Sequence, residues 1–125
     1  MTALDVVLRL LKTGDEIVAG TDIYGGTNRL LKFLENQGIK TKHVDVSVVE
    51  EVKKALTPAT RVVLIETPTN PMIRIIDIRG VVAAVRAECE NGTPSPPLPL
   101  FSPCRPATNS RLCVCFLLFL SPDCD

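Results

Sequence analysis

The chain has 125 residues, with 14 Lys plus Arg set against 14 Asp plus Glu. That is the size of one small domain, without the basic footprint of a nucleic-acid binder or the charge excess of a disordered chain. A single Tyr and no Trp argue against base stacking as a binding strategy. The longest apolar run, Leu112 to Leu120, falls well short of the roughly 18 residues of a membrane helix. No basic segment followed by an apolar stretch opens the chain, so a cytoplasmic protein without membrane or nucleic-acid partners is expected.

Ala3 to Lys12 sets Leu4, Val7, Leu8 and Leu11 on one helical face, with Thr13-Gly14 as the stop. Glu16 to Ala19 reads as a short strand, and Thr21 to Gly26 as a loop with two adjacent glycines. Asn28 to Gln37 predicts a second helix that ends at Gly38. Lys40 to Val44 alternates as a second strand. Ser47-Val48-Val49-Glu50 has the form of a capping box opening a third helix to Leu56, closed by Thr57-Pro58. Arg61 to Glu66 is a continuous apolar strand of the kind buried on both faces of a parallel sheet. Thr67-Pro68-Thr69-Asn70-Pro71 predicts a rigid loop, and Asp77 caps a fourth helix to about Glu88. The alternation predicts an α/β fold, an open parallel sheet of three strands with helices on its faces. So few strands leave one face and one edge uncovered, and marginal stability is expected.

Composition changes near Glu88. Every one of the five cysteines lies at Cys89 or beyond, most of the ten prolines lie there too, and no Lys follows Lys54. Residues 89–125 therefore read as a separate Pro/Cys-rich tail, disordered or linker-like, on a domain spanning 1–88. Its apolar run, Leu112 to Leu120, leaves two readings open: docking on the domain as a strand or short helix, or an aggregation hazard. Cys113-Val114-Cys115 lacks a second metal-binding pair, and an odd cysteine count without a leader argues against a disulfide framework. No metal site is expected. Asn91-Gly92-Thr93 matches a glycosylation acceptor by chance alone on this reading.

In open parallel sheets ligands sit at the carboxyl ends of the strands. Two loops belong there, one holding Tyr24-Gly25-Gly26 and the other Glu66 to Pro71. Tyr24 could stack on a planar ring, or be a half-buried loop tyrosine. Asn70, between Pro68 and Pro71, could donate its amide to a ligand oxygen, or bond its own backbone in a turn. His43 reads as an ordinary strand histidine. Neither a G-x-G-x-x-G nor a G-x-x-x-x-G-K motif is present, which counts against a nucleotide-binding domain.

Taken together, Leu10 to Val18, Asp22-Ile23-Tyr24-Gly25-Gly26-Thr27-Asn28-Arg29, Ile65 to Pro71 and Ile76-Asp77-Ile78 resemble the Cys/Met-metabolism, or trans-sulfuration, family of pyridoxal-phosphate enzymes. Within that family the pattern is most similar to the cystathionine γ-lyases, with the β-lyases and γ-synthases as relatives. The resemblance covers about residues 3–88. It implies a fragment of the parallel-sheet large domain of a fold-type I enzyme, with pyridoxal 5'-phosphate as cofactor, a sulfur amino acid as substrate and homotetramers as the assembly. Residue by residue, it implies that Tyr24 stacks on the pyridine ring and that Asn70 bonds the phenolic oxygen. Thr67, Pro68, Thr69 and Pro71 would shape their loop.

Other family features have no counterpart here. The phosphate cradle, the Asp that pairs with the pyridinium nitrogen, and the Ser-x-x-Lys that supplies the Schiff-base lysine do not appear. No catalytic residue is therefore named. The tail is expected to be translated non-coding sequence, and the chain is expected to be inactive alone. An alternative is a non-catalytic fragment that docks on a full-length homologue.

Overall fold

The computed structural model describes residues 2–90 and 113–117. In chain order the elements are α1 (Thr2–Leu8), β1 (Glu16–Gly20), α2 (Gly25–Glu35), β2 (Lys40–Val44), α3 (Val49–Ala55), β3 (Thr60–Glu66), α4 (Ile78–Glu90) and β4 (Cys113–Leu117). The sheet order is β2-β1-β3-β4 and every pairing is parallel. The α/β alternation read from the sequence holds.

Period-two alternation divides the strands between two cores. Ile17 and Ala19 of β1 and Val62 and Leu64 of β3 face Leu4 and Leu8 of α1 and Leu31 and Leu34 of α2. Val18, Val63 and Ile65 face the other way, onto Val52 of α3 and Val81 and Val85 of α4. Both faces of the sheet thus carry helices, which corrects the expectation of one bare face. The open edge is β2, where Lys40, Lys42 and His43 blunt further pairing.

The edge expected to stay open beyond β3 carries β4, with Val62 opposite Cys113 and Glu66 opposite Leu117. Five residues of the tail form a strand there, as the docking reading of the apolar run allows. Residues 91–112 and 118–125, where the linker was expected, lie outside the described residues.

Element ends differ from the sequence reading for local reasons. α1 stops at Leu8, and its last turn tightens through the Leu10 and Leu11 amides. α2 begins at Gly25, so the two glycines open the helix rather than extend the loop. The capping box does not form. The Ser47 hydroxyl donates to Asp45 Oδ1, Val48 is the N-cap without a side-chain bond, and Glu51 accepts the Asp45 amide. Asp77 does cap α4, its Oδ1 accepting the Gly80 amide at 3.0 Å. Gly38, at φ +80°, ends the turn after α2 in the left-handed region that glycine enters without strain.

At the amino-terminal edge of the sheet, Glu16 Oε2 accepts from Lys42 Nζ at 2.8 Å and from Thr57 Oγ1 at 2.6 Å. This ties the starts of β1 and β2 to the α3–β3 connection. The Lys42 bond, with the Thr57 bond second, holds the Glu16 carboxyl below its ordinary range.

Two outcomes are expected from this packing. Leu31→Ala empties a fully buried position and costs about 2–5 kcal/mol, read as a fall in urea midpoint at constant slope. The depressed Glu16 pKa stabilises the fold above the unfolded carboxylate value of about 4.3, and that contribution disappears as pH falls through the lower folded value. Glu16→Gln should therefore flatten the acid limb of a stability–pH profile below about pH 4.3.

Candidate functional site

The strand order places a topological switch point between β1 and β3. From β1 the chain passes through α2 on one face to β2. It then returns through α3 on the other face, past β1, to β3. Successive right-handed crossovers that run in opposite directions must use opposite faces. The loops that leave β1 and β3 therefore part to either side and open a crevice at the carboxyl ends of these two strands.

The structure places Tyr24 and Asn70 on the two loops that flank this crevice. Tyr24 is the N-cap of α2, in extended conformation with ψ 135°, and is 40% exposed. Its ring lies back over Gly26. A Cβ at Gly26 would come within 2.5 Å of Tyr24 Cε1 and 3.1 Å of Cδ1, so only glycine gives the ring that floor.

Asn70 opens the tip of a folded-back loop. The Thr69 amide donates to the Arg74 carbonyl at 2.9 Å, and the Arg74 amide donates to Thr69 Oγ1 at 2.9 Å. The Ile76 amide donates to Thr67 Oγ1 at 3.1 Å. Both threonines are buried and both hydroxyls hold backbone, the shaping role expected of them. The Thr67-Pro68 and Asn70-Pro71 peptides are cis. Asn70 itself is exposed, at the front of a tip closed by the Thr69–Arg74 pair.

The bond that joins the two loops was not legible in the sequence. Glu66, the last residue of β3, is 2% exposed, and its Oε2 accepts the Tyr24 backbone N–H at 2.9 Å. Burial raises the Glu66 pKa and the neighbouring Asp22 carboxylate adds to the rise, while the Tyr24 bond works against them. Around this bond lie buried oxygens without a protein partner, namely Glu66 Oε1, Asp22 Oδ2, and Thr27 Oγ1 and Asn28 Oδ1 from the first turn of α2. Glu66 adjoins the Thr67-Pro68-Thr69-Asn70 motif, and a polar residue closing an otherwise apolar strand was the signal available for it.

Lysines are placed elsewhere. Lys42 is paired with Glu16 at the opposite edge, and Lys53 with Glu50 on α3. Lys40 opens β2, Lys32 lies on α2 and Lys54 on α3. Lys12 follows α1 instead of lying on it, and its amide donates to Asp15 Oδ2. β4 reaches the site edge with Leu117 opposite Glu66. His43 sits at the β2 edge, its Nδ1 3.1 Å from the Gly20 carbonyl. Among the described residues no group of His, Cys, Asp or Glu is arranged to hold a metal ion, and no helix is long and apolar enough to cross a membrane.

The donor set can be tested against a flat, anionic, aromatic cofactor. An aromatic face on a glycine floor and an exposed amide suit its ring and a ring oxygen. Arg74, the cation carried by the Asn70 loop, is paired with Asp45 at 3.3 Å, and among the described residues neither loop brings an amine for an aldehyde. The site fits the ring half of such a group.

The sequence model of the Cys/Met metabolism PLP-dependent enzymes matches residues 1–91. The cystathionine β-lyase of Neurospora crassa is 58% identical over 79 residues, which is 62% of this chain and 17% of that protein. The crystal structure of metB from Corynebacterium glutamicum superposes with a TM-score of 0.67 at 45% identity, covering 70% of this chain and 23% of that one. The cystathionine γ-lyase of Lactobacillus plantarum, solved in complex with L-serine, gives a TM-score of 0.66 at 38% identity, with 69% and 23% covered. The chain spans about a fifth of the length of these relatives.

One outcome follows from the Gly26 contact. Gly26→Ala should leave the fold intact, since alanine is the better helix former by about 0.5–1 kcal/mol, yet it must displace the Tyr24 ring. With one Tyr and no Trp in the chain, a changed tyrosine signal in near-ultraviolet circular dichroism, against an unchanged far-ultraviolet spectrum, is the expected result.

Proposed function

Because the chain belongs to the Cys/Met-metabolism family of pyridoxal-phosphate-dependent enzymes, we propose that it forms the ring-holding part of a cystathionine-cleaving site acting on a sulfur amino acid. The observation that carries the reading is the Glu66–Tyr24 bond, which draws the aromatic loop and the Asn70 loop to one crevice. Tyr24 would lie against the cofactor ring and Asn70 would donate its amide to a ring oxygen. When bound, the cofactor supplies an electron sink for the substrate α-carbon. The chain's own residues orient that ring and limit its tilt. The two loops contain no lysine to act as acid and base, so the cleavage activity belongs to an assembly that adds one. The division into a cofactor-binding part at 1–88 and an unrelated tail at 89–125 goes with this proposal. A cytoplasmic setting does as well, since cysteines without disulfide spacing suit a reducing compartment.

The assay follows Tyr24 fluorescence during a pyridoxal-phosphate titration of the full chain. Saturable quenching is expected, and Asn70→Ala should weaken the apparent affinity about fivefold, the loss of one ordinary hydrogen bond. Borohydride reduction of the same mixture should label several lysines at well under one per chain, because exposed amines react alike with an aldehyde. Stoichiometric trapping at one lysine, with cystathionine cleavage by that sample, would refute the division of labour.

A further inference from the structure

We infer that Glu66 is a positioning residue, whose buried carboxyl holds the Tyr24 backbone and so sets how the Tyr24 ring is presented over the crevice. The inference rests on the proposed role of Tyr24 toward the cofactor ring. It assigns the control of that ring to a residue on a different strand, 42 positions away in sequence.

Three observations support it. First, a carboxyl that is 2% exposed is costly to bury without a partner, and the bond that Glu66 makes is to the Tyr24 N–H. Second, Tyr24 is the N-cap of α2, and the Asn28 amide donates to its carbonyl at 3.1 Å. The chain turns there from an extended residue into the helix, and the Glu66 bond fixes the turning point. Third, the ring rests on Gly26. With the amide held at one end and the ring floored at the other, the orientation of the aromatic face is set from two sides. Because Glu66 directly precedes Thr67, any shift of the Asn70 loop at its root is transmitted to Tyr24 through the same carboxyl.

The second oxygen, Glu66 Oε1, is buried and without a protein partner. Asp22, on the β1–α2 loop, is the charged group that acts on Glu66. Burial and this like charge favour the neutral carboxyl, which still offers its carbonyl oxygen to the Tyr24 amide. A glutamine reproduces that acceptor without the titration, and an alanine removes it.

The test uses the full chain, labelled with ¹⁵N. In Glu66→Ala, hydrogen exchange at the Tyr24 amide should accelerate about tenfold or more, and the tyrosine near-ultraviolet signal should change while the far-ultraviolet spectrum is kept. Glu66→Gln should restore both. In the unsubstituted chain the Tyr24 amide shift should titrate with a midpoint above the ordinary carboxylate range, and in Glu66→Gln it should be flat. Unchanged exchange and dichroism in Glu66→Ala, or a pH response that survives in Glu66→Gln, would overturn the inference. If Glu66→Ala does not fold, the pH comparison with Glu66→Gln decides alone.

A parallel titration with pyridoxal phosphate separates the two claims. If Tyr24 responds to Glu66 substitution but its fluorescence ignores the cofactor, the cofactor reading fails and the hold of Glu66 on Tyr24 stands. If the cofactor quenches Tyr24 but Glu66→Ala leaves Tyr24 unmoved, the cofactor reading stands and the positioning role is rejected.

Discussion

A strand packed between two helical layers has no face on which to carry a polar side chain. Val62 to Ile65 of β3 meet this condition, pointing by turns into one core and then the other. Polar chemistry on such a strand is confined to where it leaves the layers, and here that place is Glu66. The same packing leaves its carboxyl almost without solvent, so the residue must find a partner within the protein. The partner is on the other side of the crevice created by the reversal of strand order. Buried packing and loop convergence are thus one problem with a common solution.

The sequence made the strands legible because their signal is local. The apolar run in β3, the alternation in β2 and the Asp77 cap each depend on a few neighbouring residues, and each appears where the pattern puts it. The misreadings also have local causes. Ser47 and Glu50 match a capping box, but Asp45 Oδ1 accepts both the Ser47 hydroxyl and the Ser47 amide that Glu50 would have taken. Gly25 and Gly26 look like loop residues, yet they begin α2, and the Tyr24 ring lies over Gly26. β4 could be read only as one of two fates for an apolar run, since parallel pairing with β3 is a long-range event. For the site, the motifs around Tyr24 and Asn70 put both residues after β1 and β3, where the structure has them. The Glu66 contact was not legible, because a bond across 42 residues leaves no periodic trace.

The chain belongs to the Cys/Met-metabolism family, and in the proposed reading the aromatic face and the amide of the two loops orient a planar ring. They do not move a proton. The lysines recorded at the opposite edge serve the fold instead, with Lys42 joined to Glu16 and, through that carboxyl, to Thr57. The amino-terminal end of the sheet is thus fastened by a charged network, while at the carboxyl-terminal end Glu66 Oε1 and Asp22 Oδ2 are buried without a protein partner.

The loop that carries Asn70 is fastened at its base and not at its tip. Thr67 and Thr69 bind the returning backbone at Ile76 and Arg74, so the frame of the loop is fixed by two hydroxyls that are themselves buried. Met72 and Ile73 lie beyond these fastenings and Ile75 between them, and all three are exposed. Such an arrangement uncouples identity from shape. The side chains at the tip can be exchanged with little effect on the direction in which the asparagine leaves the strand, whereas losing a hydroxyl at the base removes one of the bonds that hold the returning backbone. In engineering terms the segment is a mount with an interchangeable head, and its tolerance to substitution is steeply graded along ten consecutive residues, 67–76.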